Sequence, residues 1–189
     1  MRVLGIDPGS DRTGYGCIDS DGHSHRLVHC GAVRTPAGAS FPQKLSVIFR
    51  GLSTLIAEHR PECVAIENIF HAVNARSALK LGHARGAAML AAVEAGLPVL
   101  EYTPAEVKRA VVGYGRAEKA QVGQMVKLLL ALDKVPTPHD ASDALAVAIC
   151  HAQVHPMAAA VAGRSGKAPG GKAAKSWRHY KPQPRTTPR

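Results

Sequence analysis

No stretch of this chain approaches the roughly 20 consecutive apolar residues that a membrane-crossing helix needs. Its N-terminus, MRVLGIDPGS, lacks the basic, apolar and small-residue order of a secretory signal, so a cytoplasmic protein with no membrane segment is expected. Cysteine is scarce: Cys17, Cys30, Cys63 and Cys150 form no CxxC pair, and each lies in or beside apolar sequence. That pattern excludes a zinc frame or disulfide scaffold and leaves four small core residues. His23, His25 and His29 fall together in an expected hairpin, but no second cluster matches them, so they read as a solvated hairpin rather than a metal site. Acid is also in short supply, with 14 Asp and Glu against 24 Lys and Arg, a formal charge of +10.

The imbalance is local. Residues 160–189 carry eight basic side chains and no acid, which leaves +2 for the rest. This segment, rich in Gly, Pro and Lys, has no apolar period, so residues 158–189 are expected to be a disordered tail behind a single folded domain, 1–157. Two explanations of the tail stand side by side: attraction to a polyanion, with Trp177 and Tyr180 available to stack on bases, or a solubilising extension.

Within the domain the chain opens on an apolar strand at 3–6. A second strand at 13–18 and a third at 26–33 follow, the latter pair joined by the Asp21-Gly22 turn. Leu45, Ile48, Phe49, Leu52, Leu55 and Ile56 recur at helical steps up to Arg60-Pro61, and a buried strand follows at 64–66. Residues 75–95 are mostly Ala, Leu, Gly and Met, too apolar for a helix with one packed face, so this helix is either central to the core or part of a subunit interface. A strand at 99–102 leads to Thr103-Pro104, an N-cap with Pro at the first helical position. Helices to about 111, at 119–130 and at 140–151 complete the chain, the last with Leu145, Ala148 and Ile149 on one face. The order predicts an α/β fold of the RNase H-like kind, a mixed five-stranded sheet flanked by helices.

Four acids are placed where acids are costly. Asp7 ends a buried strand in GIDPG and Glu67 ends another in CVAIEN, and such charges must be exposed, paired or bound to a cation. On neighbouring strands the two would repel each other and favour a divalent ion between them. Taken singly, Asp7 also suits a turn before Pro-Gly, and Glu67 a solvated strand end. Asp140 and Asp143, three apart in PHDASDALAVAIC, share one helix face. Asp140 as an N-cap and Asp143 as a first-turn acid is the alternative, and cap and ligand are compatible roles. Four oxygen donors suit Mg²⁺ or Mn²⁺ rather than zinc. A pair of such ions about 4 Å apart can activate water and stabilise the leaving oxygen of a phosphodiester.

The segments GIDPGSDRTGYG (5–16), AIENIF (65–70), NARSALKLGHARG (74–86), VKRAVVGYGRAEKAQV (107–122) and HDASDALAVAICH (139–151) together resemble the RuvC family of bacterial Holliday junction resolvases. The resemblance implies a Mg²⁺-dependent homodimer, with Mn²⁺ as substitute and two ions per site, that nicks opposed strands of a four-way DNA junction and works beside the RuvA and RuvB branch-migration proteins. It assigns catalysis and metal binding to Asp7, Glu67, Asp140 and Asp143. It makes Phe70 a wedge or stacking residue at the opened junction, which by itself would read as core. Lys108 and Lys119 become contacts to the scissile backbone, although unaided they read as solvated helix lysines. The apolar helix at 75–95 becomes the dimer region. Two departures stand out: Val73 where relatives carry a basic residue before the Asn, and His139 beside Asp140, which is either structural or an accessory to water activation.

Overall fold

The computed structural model describes residues 1–68 and 74–164. β1 (Arg2–Asp7), β2 (Arg12–Ser20) and β3 (His25–Arg34) form an antiparallel meander, and β4 (Cys63–Glu67) and β5 (Val99–Tyr102) extend it in parallel on the β1 side. The five-stranded order is therefore β3-β2-β1-β4-β5, the mixed RNase H-like sheet expected. α1 (Phe41–His59) and α2 (Ala75–Glu94) cover one face. α3 (Pro104–Val112), α4 (Lys119–Leu129) and α5 (His139–Arg164) are the remaining helices, packed against the other face. No helix among the described residues is long and apolar enough to cross a membrane.

Strand alternation decides which layer each side chain enters. Leu4 and Ile6 of β1 and Val64 and Ile66 of β4 join Ile48, Leu52 and Ile56 of α1, whereas Val3, Cys63 and Ala65 join the α3–α5 side. Each large side chain buried this way contributes about 1.5–3 kcal/mol. By the same parity, Asp7 and Glu67 continue the 3-5 and 63-65 series toward α5. The register reinforces this, since Gly5 pairs with Ala65 and Ile6 with Ile66, leaving Asp7 and Glu67 side by side at the carboxyl ends of parallel strands.

α5 differs from the sequence expectation of one apolar face: Ala144 to Ala152 are buried on every side. A helix apolar all round is one enclosed by neighbours, here α3, α4 and the sheet. Two glycines let it come close. A Cβ on Gly5 would lie 2.0 Å from the Ala144 carbonyl oxygen, and one on Gly14 would lie 2.0 Å from that of Asp140. α5 also runs to Arg164, past residue 157.

α2 resolves the surplus of apolar surface. Ala84, Ala88, Ala91 and Ala92 are buried against the core, while Leu79, Leu90 and Val93 stay 64%, 51% and 59% exposed. At 100° per residue these three share the outer face with Gly82 and Gly86, whose missing side chains leave open space within 4 Å. Cys17, Cys63 and Cys150 are buried and Cys30 half-buried, all as free thiols. The hairpin histidines are held singly, His25 by Ser20 at 2.8 Å and His29 by Tyr15 at 3.1 Å.

Candidate active site

Asp7, Glu67 and Asp143 meet at the carboxyl end of β1 and β4, under the first turns of α5. Burial, then the charges of Glu67 and Asp143, then a hydrogen bond with Glu67 push the Asp7 carboxyl up to about 8. Burial also raises Glu67, against the lowering effect of its bond to Asp7, with Asp143 raising it further. Asp7 and Glu67 are hydrogen-bonded to each other, and burial holds both carboxyls above the ordinary carboxylate range. Like charges held this close in a half-buried position are stable only with a proton or a cation between them.

The cation present is a lysine. Lys119, the first residue of α4, donates to Asp143 Oδ2 at 2.9 Å, and its charge lowers the pKa of both Asp7 and Glu67. Lys108 on α3 acts on Glu67 in the same sense, and a cleft of 240 Å³ is lined by Glu67, Asp143 and both lysines. α3 is set for this by its capping box, in which Thr103 accepts from the Glu106 backbone and Pro104 follows the cap. Among the described residues no three His, Cys, Asp or Glu side chains already stand in ligating geometry. The donor chemistry nevertheless fits a hard divalent ion: oxygens only, crowded, and lacking enough positive charge of their own. Asp7, Glu67 and Asp143 are the residues that would hold it.

Asp140 stands at the edge of this cluster. α5 begins at His139, so Asp140 is a first-turn acid and not the cap, a position favoured by the helix dipole. Its carboxylate faces Arg12 at 3.9 Å, a contact the sequence reading did not anticipate. Its backbone rests on Gly14, the register partner of Asp7, which fixes Asp140 near the site through the main chain. Glycine inside a strand signals close backbone approach, and that was the signal available at Gly14. His139 is exposed and lines a 490 Å³ cavity with Lys119 and Asp143. Phe70 and Val73 lie outside the described residues, as do Trp177 and Tyr180. Behind the site, Tyr102 and the buried His151 share a 2.7 Å hydrogen bond that ties the end of β5 to α5.

Comparison with known proteins bears directly on this cluster. A family model described as crossover junction endodeoxyribonuclease RuvC matches residues 3–151, which include every carboxylate and lysine named above. Among similar proteins, RuvC of Geobacter sp. strain M21 is 59% identical over 165 residues, covering 86% of this chain and 99% of its own. RuvC of Trichlorobacter lovleyi is 53% identical over 185 residues, covering 96% and 100%. A solved structure of Thermus thermophilus RuvC in complex with a Holliday junction substrate superposes with a TM-score of 0.79 at 37% identity, covering 84% of this chain and 96% of that one. The yeast mitochondrial Holliday junction resolvase Ydc2, at 14% identity and a TM-score of 0.65, shares the fold.

Proposed function

Because the chain belongs to the RuvC family of crossover junction endodeoxyribonucleases, we propose that its carboxylate cluster cuts four-way DNA junctions by hydrolysing one phosphodiester in each of two opposed strands. The carrying observation is the convergence of Asp7, Glu67 and Asp143 from β1, β4 and α5 around a lysine ammonium. Asp7, Glu67 and Asp143, joined by Asp140, hold Mg²⁺, with Mn²⁺ as substitute and two ions per site. Ions so held supply a nucleophilic water and charge stabilisation for an in-line displacement.

The protein's own groups do the rest. Lys119 is exposed along most of its length and is free to swing from Asp143 to a backbone phosphate once the carboxylates are otherwise satisfied. Lys108 takes the neighbouring phosphate from the α3 side of the cleft. Phe70 stacks at the opened junction, and His139, at the start of α5, orients a water or stays structural. Residues 1–157 form the nuclease domain, and the basic residues of 158–189 add charge attraction to DNA. Paired cuts need two sites, and the outer face of α2 supplies the contact: Leu79, Leu90 and Val93 flank the bare backbone at Gly82 and Gly86, so a second α2 can approach closely. The dimer acts in the cytoplasm on junctions presented by the RuvA and RuvB proteins.

The test is a labelled synthetic four-way junction with Mg²⁺ or Mn²⁺. Paired nicks by the wild type, and binding without nicks by Asp7→Asn, are the expected results. Equal cutting of linear duplex and junction would refute junction selectivity.

A further inference from the structure

His29, which the sequence leaves in a solvated hairpin with no matching cluster, finds a partner from a distant segment once the chain folds. The ring of His59, the last residue of α1, packs on it with centroids 5.0 Å apart and planes tilted by 39°. We propose that these two imidazoles form a second metal site, apart from the carboxylate cluster, that takes a borderline transition ion of the Zn²⁺, Ni²⁺ or Cu²⁺ class and ties β3 to the end of α1.

Geometry is the first argument. His29 lies opposite Cys17 in the β2–β3 register, and residues directly opposite share a face of the sheet. Cys17 belongs to the layer under α1, so His29 stands on the same side as His59. A ring nitrogen about 2.0–2.1 Å from zinc puts its ring centroid about 3.2 Å from the ion, and two such rings at a tetrahedral angle have centroids about 5 Å apart. The observed separation matches.

The second argument is an unused nitrogen. His59 Nε2 is buried and has no hydrogen-bond partner. A buried polar atom in that state costs free energy, which a bond to an ion recovers. His29 is held from its other side, where Tyr15 Oη lies 3.1 Å from its Nε2. Gly31, the register partner of Tyr15, leaves the space that the phenol fills, since a Cβ there would lie 2.6 Å from the same oxygen. A ligating histidine has its second nitrogen hydrogen-bonded in this way, which fixes the ring and leaves the other nitrogen for the ion. Burial raises the Tyr15 phenol above its ordinary value, so the hydroxyl stays protonated and orients the ring instead of binding as a phenolate.

Ligand type is the third argument. Imidazole nitrogens suit Zn²⁺, Ni²⁺ and Cu²⁺, whereas carboxylates suit Mg²⁺ and Mn²⁺, so the two sites select different ions. The local charge is permissive: Glu58 is exposed beside His59 and its charge bears on Tyr15, while Arg2, which donates to the His59 carbonyl at 2.8 Å, is neutralised by Asp19. Water fills the remaining positions on the ion.

The experiment is thermal melting with ZnCl₂ added over a constant excess of Mg²⁺, which occupies the carboxylate cluster. Zn²⁺ at about ten times its Kd is expected to raise the wild-type melting temperature by about 3–6 °C. His29→Ala and His59→Ala should each abolish the rise. His25→Ala, in the same hairpin but bonded to Ser20, should keep it in full. Cu²⁺ on the wild type should give an electron paramagnetic resonance spectrum coupled to two nitrogens, reduced to one in either variant. If His59→Ala fails to fold, His29→Ala, at an exposed position, decides alone. No Zn²⁺-dependent rise in the wild type, a rise that survives His29→Ala, or a copper spectrum unchanged in that variant overturns the site.

Discussion

β1 and β2 carry an acid at each end, and the two ends treat their acids in opposite ways. At one end Asp19 accepts from Arg2 at 2.7 Å and from Arg26 at 2.6 Å, and the Arg2 bond above all holds its carboxyl below the ordinary range. At the other end Asp7 lies against two more carboxyls, and burial with their charge pushes it up to about 8. One strand pair therefore spends an aspartate on stability and another against it. An acid-rich cluster left short of cations is the mark of a group retained for what it binds.

The largest break in this comparison is Asp7→Asn. Cutting should fall by about three powers of ten, since several kcal/mol of charge stabilisation depend on the carboxylate, as read by single-turnover cleavage. The same change should raise the melting temperature of metal-free protein at pH 8. The sign follows from linkage: a carboxyl raised in the folded state keeps a proton that the unfolded chain releases, so stability falls as pH climbs from the ordinary 3.8 toward 8. Asn carries no such penalty. The advantage should shrink toward pH 4 and also when Mg²⁺ is added to the wild type. A metal-free Asp7→Asn that melts below wild type at pH 8 would show that the cluster is not strained.

Gly14→Ala is next, because it attacks the same end through the backbone. The added Cβ would meet the Asp140 carbonyl at 2.0 Å, and α5 must move. Overpacking of this kind costs about 1–3 kcal/mol. A shift of roughly 1 Å in a catalytic group costs about a hundredfold in rate. Melting and cleavage measured together should both fall, and cleavage should fall further than the lost stability explains.

How much of this was open to a reader of the chain alone divides along the same line. Asp7 and Glu67 were legible because each ends a buried apolar strand, where a charge is costly unless it is exposed, paired or bound to a cation. Thr103-Pro104 announced the start of α3 because capping chemistry is local. What escaped depends on segments distant in sequence: the clasp of Lys119 on Asp143, the seat of Asp140 on Gly14, and the cavity between α4 and α5. α5 also misled, because its alanines fit any face of a helix and only the surrounding layers show that all of them are used.

Asp19→Ala tests the quiet end. It removes the acceptor of Arg2 and Arg26, and at neutral pH it should cost about 1 kcal/mol, or about 2–4 °C in melting temperature for a chain of this size. Cleavage at 25 °C should be unaffected. A carboxyl lowered by folding stabilises above its unfolded pKa and stops doing so as pH falls through the folded one, so the gap between variant and wild type should close below the ordinary 3.8. The pH trend is thus opposite to that of Asp7, on the same two strands.

The smallest effect expected is that of Arg12→Ala, and it separates two ways of placing an acid. Arg12 faces Asp140 at 3.9 Å with its side chain 56% exposed, and ion pairs of that kind contribute about 0–1 kcal/mol. If Asp140 is positioned by the seat of its backbone on Gly14, losing Arg12 should shift melting by no more than about 2 °C and cutting by no more than about threefold, less than 1 kcal/mol of barrier. A loss as large as that of Gly14→Ala would mean that the guanidinium holds Asp140 or reaches the DNA itself. Repeating the cleavage at raised salt distinguishes these, because a phosphate contact steepens the dependence of binding on salt and a purely internal pair does not.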